Sequence, residues 1–388
     1  MVNFDNTAIA FQMKNDAALD RAYFLFKLIS NEPLVKIGTA ATNFALNAQL
    51  PVEGLIRATV FDHFCGGVNE EDCLQIIKEL GSYGVQSILD YSVEGKVEEN
   101  QFDLAVEKNL EILSFIKSRE EIPFAVFKPT ALGSSDLFYK VSQNSDLNES
   151  EKNAYNRITD RYHTLCSKAR ELNIKLLVDA EESWLQQAAD DLCLQMMKTY
   201  NTEQPIVYNT YQMYRWDKMK DLEKLFDLAS RYNFLPGIKL VRGAYMEKER
   251  KRASEKGYNS PICEDKKETD LNFDKGARFI LNHIEKASIF IGSHNEHSTS
   301  LILNYMEEYN IPSDHKHIWF GQLYGMSDHI SFNLAKNGYN VSKYIPYGPV
   351  KDVMPYLIRR AEENTSVAGQ TNRELELIKK ERSRRKLL

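Results

Sequence analysis

Residues 122–133 read IPFAVFKPTALG and residues 174–183 read IKLLVDAEES. Each is a short, almost unbroken apolar run that closes on a charged residue, Lys128 in the first and Asp179 in the second, and each precedes a longer stretch with helical spacing. A brief apolar run without polar alternation predicts a strand buried on both faces, the environment of a parallel sheet covered by helices. Working outward, the same unit recurs as LIRATVFDHFCGG (55–67), VQSILDYSVEG (85–95), PIVYNTYQMY (205–214), GIKLVRGAYM (237–246), SIFIGSHNEHS (288–298) and HIWFGQLYGM (317–326). Eight such runs predict an α/β chain folded as a (βα)8 barrel. YNVSKYIPYG (339–348) is left over, as a further strand or as the connection into the next helix.

The predicted barrel spans residues 53–366. Residues 1–52 read as an N-terminal helical region, with AALDRAYFLFKLIS (17–30) its clearest amphipathic segment, and residues 367–388 as a basic helical tail. SQNSDLNESEKN (142–153) and the charged stretch from Glu247 to Asp270 read as loops or frayed helices, the second a candidate gate with little core to hold it. With 388 residues, of which 43% are hydrophobic and 27% charged, the chain can bury a large core. A net charge of -6 argues against nucleic acid as a partner, which needs a clustered basic surface. Five scattered cysteines with no CxxC pair point to a reducing compartment, and the cytoplasm is the expected location. The start carries acids and no apolar signal core, and no apolar run reaches membrane-spanning length, so membrane contact is expected to be peripheral at most, through the basic tail.

In such barrels the working groups sit where the strands end. The expected set is Lys128, Asp179, Asn209, Lys239, Arg242, Tyr245, His294 and Leu323. PYLIRRAEENTS (355–366) adds a helix with Pro355 in its first turn and Tyr356, Arg359, Arg360 and Glu363 on one face, which could equally be a solvated charged face. Asp62, His63, Asp179, Glu181, His294 and His297 could instead ligate a divalent metal in a hydrolase or isomerase, but five cations, Lys128, Lys239, Arg242, Arg359 and Arg360, suit an anionic cofactor and substrate better. No GxGxxG follows a strand, so a dinucleotide would be held without the usual glycine-rich turn. A carboxylate-binding barrel without catalysis fits the charges as well.

FKPTALG, LLVDAEES, VYNTYQMY, GIKLVRGAYMEKER, GSHNEHS, FGQLYGMSDHIS and KYIPYGPVKDVMPYLIRRAEENTS, in this order from Phe127 to Ser366, resemble the successive signatures of the FAD-dependent proline dehydrogenases. The resemblance implies a distorted TIM-like barrel with a C-terminal helix over the active site. It implies non-covalent FAD and oxidation of L-proline to Δ1-pyrroline-5-carboxylate by hydride transfer to flavin N5, with a membrane quinone as acceptor. The chain resembles the monofunctional members; 4-hydroxyproline is the neighbouring substrate within the family. Carried over residue by residue, Arg359, Arg360 and Lys128 match the groups that hold the proline carboxylate, and Asp179 the acid that balances them. Tyr245, Leu323, Tyr344 and Tyr356 match the wall of the pyrrolidine ring, Tyr344 standing where hydroxyproline-oxidising relatives have a smaller residue. Asn209, Lys239, Val241, Ser293, His294, Asn295 and Glu363 match cofactor contacts. Lys239, Asn209 and Met246 depart from the arginine, glutamine and tryptophan of other members.

Overall fold

The computed structural model describes residues 2–31, 33–35, 38, 40, 53–92, 98–366 and 370–387. Eight strands follow one another in chain order and close into a barrel, β1 Val85–Tyr91, β2 Phe124–Phe127, β3 Lys175–Val178, β4 Val207–Gln212, β5 Gly237–Val241, β6 Ser288–Gly292, β7 Ile318–Leu323 and β8 Val341–Tyr347. The strand pairs run parallel, as in Leu176 opposite Val207 and Ile88 opposite Tyr344. Helices of eight residues or more are numbered α1 Asp16–Ile29, α2 Glu70–Ser82, α3 Glu99–Ile116, α4 Ser135–Ser142, α5 Glu149–Leu172, α6 Ser183–Tyr200, α7 Lys218–Tyr232, α8 Met246–Lys256, α9 Lys266–Leu281, α10 Glu296–Glu308, α11 Asp328–Lys336, α12 Val350–Ser366 and α13 Gln370–Arg384.

The expected count of eight strands holds, but the members differ. LIRATVFDHF is helical, an α-turn at Glu53–Ile56 running through a π-helical turn at Arg57–Phe61 into Asp62–Phe64. Its β-branched residues suggested a strand, yet Ile56, Phe61 and Phe64 fall on one helical face and enter a buried cluster with Val353, Met354 and Leu357. Burial of that face overrides propensity. The leftover stretch supplies the missing strand as β8. Pro355 is likewise not in a first turn, because α12 begins five residues earlier at Val350 and carries the proline in its interior.

The chain divides into two compact units, one comprising Met1–Glu94, His294–His297 and Phe320–Leu388, the other Gly95–Ser293 and Ser298–Trp319. The expected boundaries after residues 52 and 366 adjoin residues outside the described ones.

The second unit holds β2 to β6. Phe124 of β2 meets Tyr208 of β4, Phe290 of β6 and Trp319 edge-to-face at centroid distances of 5.7, 5.2 and 5.1 Å, an aromatic floor of inward residues. Gly237 makes room for it, since a Cβ there would stand 2.9 Å from the Tyr208 ring. Phe127, of opposite parity to Phe124, packs on Tyr162 of α5 at 5.2 Å. The pleat thereby fixes which strand-end residues point inward, namely Lys128, Asp179, Gln212, Lys239 and Val241. The segment from Glu247 to Asp270 contains α8 and the first turn of α9. Glu249, fully buried, accepts hydrogen bonds from the Ser183 N–H and hydroxyl at 2.6 Å each, which ties α8 to the start of α6.

In the first unit, α13 lays Leu377 and Ile378 against Phe11, Leu19, Ala22 and Phe26, so α1 forms as its periodicity predicts and has a partner for its apolar face. Three arginines of the tail also find intrachain partners. Arg373 pairs with Asp5 and Glu296, Arg382 with Asp20, and Arg385 with Asp16 and Glu381. The tail expected as a membrane contact is thus a docked helix with these arginines on intrachain partners, while Lys379, Lys380 and Lys386 are exposed.

Candidate active site

In the second unit, Lys239 and Asp179 converge at the strand ends, Nζ to Oδ1 at 2.5 Å. Both are largely buried, so the pair holds its geometry against water competition. Lys128 ends β2 on the same inward parity and is half-buried. Directly after it, the Thr130 N–H and hydroxyl donate to the Glu181 carboxylate at 3.1 and 2.6 Å. Burial pushes the Glu181 carboxyl up to about 7, against the Thr130 hydrogen bonds and the nearby Lys128 charge. Glu181, expected from the sequence only as a possible metal ligand, follows the strand by three residues, and Gln212 donates its Nε2 to the Glu181 carbonyl at 2.8 Å.

Asn209 faces the other way. Its Nδ2 donates to Asp190 Oδ1 of α6 at 2.8 Å, and it lines a small cavity with Tyr211, Asp191 and Lys224 on the helix side of β4. One residue of parity separates it from Gln212, the amide that β4 turns inward. Arg242 is also withdrawn. Its guanidinium reaches Asp270 of α9 at 2.7 Å and the hydroxyls of Ser293 and Ser298 at 3.0 and 2.7 Å, and lies 4.3 Å from the Phe273 ring centre. Ser293 therefore meets Arg242, and Val241 stands beside Gly292, where a Cβ would come within 2.9 Å of Val241 Cγ1 and 3.9 Å of Lys239 Cε. Glycine at 292 thus leaves room for the Val241 and Lys239 side chains, and the Lys239 cation at these strand ends suits an anionic cofactor such as a flavin dinucleotide. Tyr245 is half-buried at the N-cap of α8.

In the first unit, α12 buries Val350, Val353, Met354 and Leu357 at helical spacing. That leaves Arg359 and Arg360 half-buried at the helix edge rather than on a solvated face, with the Arg360 guanidinium 5.3 Å over the Tyr356 ring. Tyr344 and Tyr356 are themselves buried, and Leu323 packs against the α12 cluster. The side chain of Glu363 lies outside the described residues.

His294 is enclosed. Its Nδ1 is 2.9 Å from the Ser327 hydroxyl, and its Nε2 accepts from the Leu323 N–H at 3.5 Å. Burial, reinforced by Lys343 and Arg360, lowers its pKa to about 3, so the ring is neutral with the proton on Nδ1. Asn295 follows it, half-buried, at the start of α10. His63, a candidate metal ligand, meets the Gly325 carbonyl through Nε2 at 3.0 Å and sits edge-on to Phe26 and Phe64. Burial, then Lys14, brings it down to about 3. His297 is exposed, and among the described residues no group of three His, Cys, Asp or Glu side chains is placed to hold a metal ion.

A family model described as proline dehydrogenase matches residues 73–373. The chain is 34% identical over 335 residues to the carbapenem antibiotics biosynthesis protein CarD of Pectobacterium carotovorum subsp. carotovorum, spanning 86% of each chain. It is 42% identical over 238 residues to the mitochondrial proline dehydrogenase 1 of Homo sapiens, covering 60% of this chain and 40% of that one. In fold it is similar to proline utilization A of Bdellovibrio bacteriovorus inactivated by N-propargylglycine, with a TM-score of 0.74 at 20% identity, over 95% of this chain and 40% of that one.

Proposed function

The chain belongs to the proline dehydrogenase family, and from that premise we propose that it oxidises L-proline to Δ1-pyrroline-5-carboxylate with FAD, through one set of residues that holds the cofactor and another that grips the substrate. The family is FAD-dependent, and the observation that carries the assignment here is the buried Lys239–Asp179 pair at the strand ends. Lys239, Val241, Ser293 and Asn295 would hold the non-covalent cofactor. Gln212, the inward amide of β4, takes the role expected of Asn209. Bound FAD supplies, at N5, the acceptor for a hydride from the ring carbon next to the proline nitrogen.

The chain's own groups orient and enclose. Arg359 and Arg360 present planar forks to the proline carboxylate, assisted by Lys128, and Asp179 keeps the cationic side in balance. Tyr245, Leu323, Tyr344 and Tyr356 exclude water from the ring. The substrate must carry an unprotonated amine for its lone pair to assist, so turnover rises toward mildly alkaline pH. Tyr344, buried beside the ring, favours proline over 4-hydroxyproline.

A membrane quinone is the electron acceptor in this reading, reached from the cytoplasm by peripheral contact; among the described residues no helix is long and apolar enough to cross a membrane. The purified protein should be yellow, release FAD on denaturation, and form Δ1-pyrroline-5-carboxylate from L-proline with a soluble quinone. A colourless protein that proline binds without oxidation would leave only the carboxylate-binding barrel.

A further inference from the structure

The tail helix docks through Leu377 and Ile378 and through its arginines, yet it also buries one carboxylate that this docking does not require. Glu374, on the inner face of α13, accepts a hydrogen bond from the backbone N–H of Ser327. Ser327 is a non-glycine residue in the left-handed region, at φ 52°, and its hydroxyl is the partner of His294 Nδ1 at 2.9 Å. His294 in turn takes the Leu323 N–H at the end of β7. We propose that Glu374 is a positioning residue, which through Ser327 and His294 sets the place of Leu323 and hence of one wall of the substrate ring. The inference rests on the reading of Leu323 as ring wall given above.

Three observations support it. A left-handed serine is a conformation that the surroundings must enforce, and a buried carboxylate on its N–H does so. The chain of donors is fully directed, because the neutral His294 ring donates from Nδ1 and accepts at Nε2. The rest of the loop is held with equal care, since Lys343 Nζ donates to the Leu323 and Met326 carbonyls at 3.4 and 2.5 Å, while the Tyr324 N–H donates to the Tyr344 carbonyl at 2.7 Å. Glu374 is faced by His329 at 3.8 Å and, at longer range, by Asp328 and Lys343, and burial raises its carboxyl.

The test uses the full-length, FAD-loaded protein with Glu374→Ala, Glu374→Gln and Ser327→Ala, and tetrahydrofuran-2-carboxylate as an unreactive stand-in for proline. Calorimetric Kd for this analogue and the 15N NMR signature of His294 are read together. Glu374→Ala and Ser327→Ala should weaken analogue binding about three- to tenfold, the worth of one hydrogen bond, and raise KM for proline with kcat little changed. Glu374→Gln, which keeps an oxygen for the Ser327 N–H, should restore most of the affinity, a rescue that simple loss of helix docking does not predict. Wild-type His294 should show the proton on Nδ1. The proposal is overturned if that proton is on Nε2, if the alanine variants bind as wild type does, or if Gln is as weak as Ala. Should Glu374→Ala not fold, the wild-type tautomer with Ser327→Ala and Glu374→Gln decides. A wild type whose flavin proline does not reduce would sink the parent reading instead, a result separate from the tautomer.

Discussion

In the second unit, the groups that matter are held by neighbours on the sheet, Lys239 of β5 by Asp179 after β3 and the Thr130 turn after β2 by Glu181. In the first unit, the loop after β7 is held from the ends of the chain. His63 meets its Gly325 carbonyl, Glu374 its Ser327 N–H, and Lys14 pairs with Asp328 at 2.9 Å alongside Lys343 at 2.8 Å. Burial alone would raise the Asp328 carboxyl, but the two lysines outweigh it and hold it well below its ordinary range. Strand geometry fixes the first kind of site within a few residues, whereas the second depends on segments hundreds of residues apart finding each other. Cofactor binding through Lys239 and substrate grip through Arg359 and Arg360 would separate cleanly under mutation.

The sharpest separation is expected at Lys239. Lys239→Met leaves Asp179 buried without this cation, a loss of about 3–5 kcal/mol in comparable pairs, so FAD retention and kcat/KM should fall at least about a hundredfold. Flavin content after gel filtration checks this, and a fully loaded variant would break the assignment of the second unit. Arg359→Met should act oppositely, retaining FAD while KM for proline rises about ten- to a hundredfold, as removal of a charge-assisted bond does.

A smaller effect is expected at Tyr344. Tyr344→Ser should lose efficiency on proline and narrow its preference over trans-4-hydroxy-L-proline by about tenfold, since in the proposed role its buried ring would crowd a substrate hydroxyl. An unchanged ratio of kcat/KM values would remove the selectivity role.

Acid should distinguish the units by the least. His63 and His294 have folded pKa values of about 3, so below about 6.5 the unfolded chain takes up protons that the folded first unit does not, and stability falls with pH. Between pH 7 and 6 each contributes a loss of roughly 0.5–1 kcal/mol. In the second unit, His317, near 4, acts likewise, but Glu181 has a raised pKa of about 7 and works against it. Its contribution is fully present below about 4.5 and is lost as pH rises through 7. Hydrogen exchange should therefore show protection falling faster in β8 than in β4 on acidification; the reverse order would contradict these assignments.

The barrel was legible because its strands are short apolar runs ending in charge, and a two-residue period is robust. It failed at LIRATVF, where β-branched residues lie on a helical face that only the α12 cluster reveals. The inward placement of Lys128, Asp179 and Lys239 was readable from strand ends, but the outward placement of Asn209 was not, because a choice between two amides three residues apart on β4 requires knowing the inward parity. Glu374 and Ser327 had no signal at all. Nothing near either in sequence marks a carboxylate on a tail helix as the partner of a loop forty-seven residues earlier.

The separation of substrate grip from cofactor binding is tested most directly by anaerobic titration of FAD-loaded wild type and Arg360→Met with L-proline, following flavin absorbance. Both should bleach completely, with equal flavin content and with the half-saturating proline concentration raised at least about tenfold in the variant. A wild type that proline leaves oxidised, a variant that purifies without flavin, or an unchanged half-saturation would contradict the account.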